Sequence, residues 1–228
     1  MSGMTIIKGH WQLIAITALV FALWTTPVIF PLKLLVVFLH EVSHGLTAYL
    51  TGGSIDSLSV SSQEGGLAVT RGGNRFLTLS AGYVGSLLIG VILLLIALKT
   101  NADRAVMGFI GVATLAITAL YIREGFPLAF GLGTGGVMLA VAYYLNRPVN
   151  DLILRVIGLT SMIYVPYDIF SDTLARSHLQ SDARMLAEEF GGATVIWGGL
   201  WLLLSMSVIG LCLRYGLGRK SNIRFGVV

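Results

Sequence analysis

The chain has 228 residues, 55% of them hydrophobic and only 11% charged, with a mean hydropathy of +0.84. A soluble globular domain carries roughly 25% charged residues, so the composition excludes an ordinary water-soluble domain and favours one helical bundle in a bilayer. The net charge of +4 is dispersed between apolar runs, which argues against a nucleic-acid partner, and the single Cys212 excludes an internal disulfide framework and any CxxC metal site.

Seven apolar runs follow one another, at 11–26, 32–50, 76–98, 105–122, 127–145, 152–170 and 195–213. Runs of this length with few charges read as transmembrane helices. The first lacks a small-residue cleavage site and leads directly into the second, so it reads as a membrane anchor, with Pro27 and Pro31 punctuating the join. The expected fold is an all-α polytopic membrane protein of six or seven transmembrane helices, forming a single domain over 1–228. The basic tail from Arg214 to Arg224 reads as a flank facing anionic lipid.

The second run contains the chemistry. His40-Glu41-Val42-Ser43-His44 fits H-E-x-x-H. On a helix, residues four apart share a face, so both imidazoles reach one cation, as Zn²⁺ requires. Glu41 is then placed to take a proton from a water at the zinc and pass it to a leaving amine. The plain alternative is a packed histidine pair with a hydrogen-bonded glutamate. Ionisable groups cost about 2.5–3.5 kcal/mol each in a membrane span on insertion scales, which favours function. With a helix start after Pro31, His40 and His44 lie roughly 13 and 20 Å along it, inside a bilayer core about 30 Å thick.

Residues 54–75 are not membrane-like. "SLSV" and "LAVT" flank a polar, Gly-containing turn, the pattern of a short interfacial β-hairpin. In "AGYVGSLLIG", small residues recur at four-residue steps and predict close helix packing beside the metal helix. "GLGTGG" at 131–136 follows no strand, so it reads as a packed membrane segment and not a phosphate loop. Residues 171–192 are polar. Ser181 is a candidate N-cap for a short helix through Phe190, stopped by Gly191.

A catalytic zinc needs a third protein ligand. His10 precedes the first span and reads as a headgroup-level residue, and His178 reads as solvated. Asp168, in "YVPYDIFSD", is the favoured ligand. It lies thirteen residues beyond Arg155, as His44 lies thirteen beyond Pro31, and the second and sixth runs are expected to be parallel. Asp172 shares its face. Asp182 is the runner-up, although its place after Ser181 also suits a helix-dipole partner.

HEVSHG with the following TGG, "EGGLAVTRGG", "AGYVGSLLIG", "YDIFSD" and "SDARMLAEEFGG" with "WGGLWLLLS" resemble, in order, the M50B-like peptidase family, which is related to site-2 intramembrane metalloproteases. The resemblance implies a zinc endopeptidase with His40 and His44 as ligands and Glu41 as base. Site-2 proteases take their third ligand from an LDG-type motif. Pro166-Tyr167-Asp168 is similar in placement but contains no LDG, so the third ligand stays open between Asp168, Asp172 and Asp182. No PDZ domain is present to filter substrates.

The expected function is therefore an intramembrane zinc metalloendopeptidase in a bacterial inner membrane, acting on membrane-embedded or membrane-proximal protein segments. Its partners are a membrane-protein substrate and the lipid bilayer. An exposed hairpin edge would catch the unwound substrate strand, and Asn74 or Arg71 is a candidate oxyanion donor. The alternative is a non-proteolytic scaffold, transporter or pseudoprotease that uses the same ligands. Counting basic residues weakly favours an outside N-terminus, whereas a site-2-like direction for the HExxH helix gives the opposite orientation.

Overall fold

The computed structural model describes residues 3–176, 180–218 and 220–223. Eight α-helices and one hairpin follow in order: α1 Gly3–Ala22, α2 Phe30–Leu50, β1 Ser54–Val60, β2 Gly66–Arg71, α3 Arg75–Lys99, α4 Asp103–Tyr121, α5 Gly125–Tyr144, α6 Arg147–Phe170, α7 Asp182–Phe190 and α8 Thr194–Leu211. Single π-helical stretches extend α6 through Ser171–Ala175 and α8 through Cys212–Gly216.

Local chemistry sets many of these boundaries. Pro31 stands in the first turn of α2, where its missing N–H costs nothing. Asn74 caps α3 by accepting from the Leu77 N–H at 3.0 Å, and Asn146 caps α6 by accepting from Val149. Ser181 caps α7, and Gly191 ends it with a φ of 87°. The strands pair antiparallel from Ser54 opposite Arg71 to Val60 opposite Gly66, with an irregularity between Ile55 and Ser57.

Among the described residues, five helices are long and apolar enough to cross a membrane: α3, α4, α5, α6 with its π extension, and α8 with its own. These match five of the seven expected runs. The described part of α1, Ile7–Ala22, is a shorter apolar helix. The remaining run, α2, contains Lys33, His40, Glu41 and His44 and is not among the five. The chain is thus an all-α polytopic membrane protein with one small hairpin.

Small residues make the helix contacts that position the site. α2 packs against α3, where a Cβ built at Gly85 would sit 2.5 Å from Ser43 Cβ. Farther along, α3 meets α6 at Gly90, Gly158 and Ser161, and the Ser161 hydroxyl donates to the Ser86 carbonyl at 2.8 Å. α5 meets α4 through Gly131 against Thr118 and Gly135 against Leu115, which accounts for the glycine-rich run as packing surface. The core between α2, α3 and α6 is filled by Leu34, Phe38, Leu87, Leu94, Leu154 and Ile169.

One expectation changes. The polar stretch does not begin at Ser171, because α6 continues to Ala175 and brings Asp172 onto the helix. His10 has a partner within the protein. It is buried at a kink in α1, and its Nδ1 lies 2.7 Å from Ser221 Oγ. The partner is 211 residues away in the C-terminal strap. There Arg155 reaches the Ser221 and Ala97 carbonyls and pairs with Asp151.

Candidate metal centre and active site

His40 and His44 sit one turn apart on α2, and their Nε2 atoms face Asp182 of α7. Asp182 Oδ2 lies 3.0 Å from His40 Nε2 and 3.1 Å from His44 Nε2. The three donor atoms fall within 4.8 Å of one another. Donors arranged tetrahedrally at about 2.0–2.1 Å from one zinc stand ~3.4 Å apart, so the set is close to the spacing that such an ion needs.

Hydrogen bonding strengthens this fit. His44 Nδ1 donates to the Thr78 carbonyl at 2.6 Å. A carbonyl only accepts, so the ring proton is committed there and the neutral ring turns its Nε2 lone pair toward Asp182. Two acceptors then face each other across 3.1 Å, and a second ring proton or a cation must lie between them. Burial alone raises the Asp182 carboxyl, but His44 and His40 outweigh it and hold the group below the ordinary carboxylate range.

Room in front of the imidazoles depends on Gly82 of α3. A Cβ there would collide with His40 Nε2 and His44 Nε2. Gly66, at the start of β2, plays the same part for Glu41, whose carboxylate occupies the space a side chain at Gly66 would fill. Glu41 itself is buried. α7 is fixed to α3 by the Arg75–Glu189 ion pair at 2.9 Å and by Phe76, which packs edge-on against Phe190 and Trp197. That docking folds a polar segment back over the metal helix and delivers Asp182.

His40, Glu41, His44 and Asp182 line a cavity of about 620 Å³, together with residues 63–70 of the hairpin, Thr78, Tyr83, Asp168, Asp172 and Arg176. Asp168 shares this cavity but is not part of the three-residue cluster. The carboxylate that meets both histidines comes from α7, because the segment after α6 turns back instead of leaving the bundle. Asp172 accepts from Tyr83 Oη at 2.6 Å and from Arg176 at 2.9 Å. Arg71 and Asn74 do not line the cavity. Arg71 is exposed and paired with Asp56, and Asn74 caps α3. His178 lies outside the described residues.

Tyr83 was not legible as a site residue. Its ring packs edge-on against His40 with centroids 4.7 Å apart, while its hydroxyl holds Asp172. The only signal is a lone aromatic beside Gly82 in a stripe of small residues.

The polytopic membrane bundle thus holds, beside a glutamate, a His/His/Asp cluster that could bind a metal ion. A family model described as Peptidase M50B-like matches residues 13–212, and the chain belongs to that family. No curated protein and no solved structure matches the chain.

Proposed function

We propose that the protein is an intramembrane zinc metalloendopeptidase that cleaves membrane-embedded or membrane-proximal protein segments. The observation that carries this reading is the convergence of two Nε2 atoms and a carboxylate oxygen within 4.8 Å, on the wall of a cavity shared with Glu41. His40, His44 and Asp182 would hold the ion, with Asp182 in the place expected for Asp168. Bound zinc supplies Lewis acidity, which polarises a scissile carbonyl and acidifies water.

The chain's own groups do the rest. Glu41, desolvated between α2 and Gly66, accepts the proton of the attacking water and delivers it to the leaving amine. Thr78 fixes the His44 tautomer through its carbonyl. Tyr83 holds the His40 ring edge-on and is itself held by Asp172. A transmembrane helix hides its peptide bonds in its own hydrogen bonds, so the substrate must unwind. β2 pairs with β1 on one edge only, and residues 65–70 border the cavity. The other edge of β2 suits addition of an unwound strand beside Glu41.

The test is a reconstituted cleavage assay on a panel of transmembrane segments, combined with metal analysis. Wild-type protein should carry one zinc and cleave. Glu41→Gln should keep the zinc and lose about 10²–10⁴-fold in rate, the usual contribution of a general base. Equal cleavage rates in the two proteins would refute the hydrolytic role of Glu41. A zinc-free wild type after metal loading would refute the centre.

A further inference from the structure

The charged groups lining the catalytic cavity can be accounted for almost completely. Glu64 pairs with Lys33 at 3.3 Å, Arg75 with Glu189, and Arg176 with Asp172. Asp172 uses its second oxygen on Tyr83. His40, His44 and Asp182 form the metal cluster, and Glu41 is the base. Asp168 alone remains. Among the described residues it has no hydrogen bond and no ion pair, yet it sits on the cavity wall, near enough to interact electrostatically with Asp172, His40, Arg176 and Asp182.

Its oxygens are not among the fully enclosed atoms that lack a partner. The carboxylate is therefore partly accessible, on a residue that lines the cavity. Asp168 is also on the same helical face as Asp172, one turn before it. Asp172 spends both oxygens holding Tyr83 and Arg176, so the two acids differ in what they leave available. Arg176 is already paired with Asp172 and acts on Asp168 only at a distance, so a cation arriving with the ligand would give Asp168 a direct partner and offset the cost of a half-buried carboxylate.

We propose that Asp168 is a specificity-determining residue that receives a basic side chain of the substrate, lysine or arginine, next to the bond being cut. An unwound strand along β2 would pass Glu41 at Gly66, and Asp168, on α6, lines the same cavity. Substrates with a positive side chain in the unwound segment are then preferred over apolar or acidic ones of equal length. The inference rests on the hydrolytic reading above and deepens it from reaction class to substrate class.

The experiment uses full-length, zinc-loaded protein in liposomes and dipeptide hydroxamates as probes. The hydroxamate group binds the metal, and the side chain is lysine, acetyl-lysine, norleucine or glutamate. Affinity and bound zinc are measured on the same samples. The lysine probe should bind the wild type about tenfold or more tightly than acetyl-lysine or norleucine, the scale of one charge-assisted hydrogen bond. Asp168→Asn should erase the preference with zinc content unchanged, and Asp168→Glu should restore part of it. A purely structural role for Asp168 would shift all four probes together.

Equal affinity of the wild type for lysine and norleucine probes, with zinc present, overturns the proposal and leaves the metal centre standing. A preference that survives Asp168→Asn overturns it as well. A wild type that holds no zinc removes both this inference and the centre beneath it.

Discussion

Two buried polar networks lie toward opposite ends of α3, and they are built on different terms. At the end of α3, Arg155 is 4% exposed, and every arm of its guanidinium is used, on Asp151, the Ser221 carbonyl and the Ala97 carbonyl. At its beginning, His40, Glu41, His44, Asp168 and Asp182 face a cavity; Asp182 meets both imidazoles, while Asp168 has no hydrogen bond or ion pair among the described residues. Burial of charge in a membrane bundle is therefore not what marks the site, since both regions have it. The distinguishing feature is chemistry left open toward an accessible space.

The difference can be broken from either side. Arg155→Ala should have the largest structural effect. It strands Asp151 and frees the C-terminal strap, and removing one member of a buried ion pair typically costs about 3–5 kcal/mol. Thermal unfolding in detergent should show this, while the protein that remains folded keeps its zinc. Loss of zinc from that folded fraction would mean that the two networks are coupled.

Asp182→Ala should act in the opposite sense, with folding retained and metal lost. The drop in zinc affinity should exceed the 10–100-fold, roughly, that follows loss of a hydrogen-bond partner behind a metal ligand. Asp168→Ala should stay below that range. Zinc titration of the two variants side by side decides between them, and the reverse order would restore Asp168 as the ligand.

Gly82→Ala is the finest probe. The added methyl group meets both Nε2 atoms, so the helices must shift, at a cost of about 1–3 kcal/mol for overpacking. Zinc binding should fall with it. Gly133→Ala on α5, where a Cβ meets nothing within 4 Å, should leave both zinc content and unfolding temperature at wild-type values.

The sequence was informative where chemistry is local. The HExxH spacing places two imidazoles on one helical face wherever the helix goes, and the structure keeps them together. The "SLSV" and "LAVT" runs became β1 and β2, and Ser181 became an N-cap, because turn and capping signals act within a few residues. Depth along a span favours Asp168 as the partner of the histidines, whereas the structure brings Asp182 to both Nε2 atoms. Asp182 gets there by the docking of α7 through Arg75, Phe76 and Trp197, and those contacts link segments far apart in the chain. The contact of His10 with Ser221 is hidden for the same reason, since nothing near position 10 reveals a partner 211 residues away.

His40 and Asp182 are 142 residues apart. A ribosome making this protein therefore releases the HExxH helix long before the third donor exists. Until α7 has emerged and docked onto α3, the two imidazoles of α2 lack the Asp182 carboxylate that meets both of them in the folded protein.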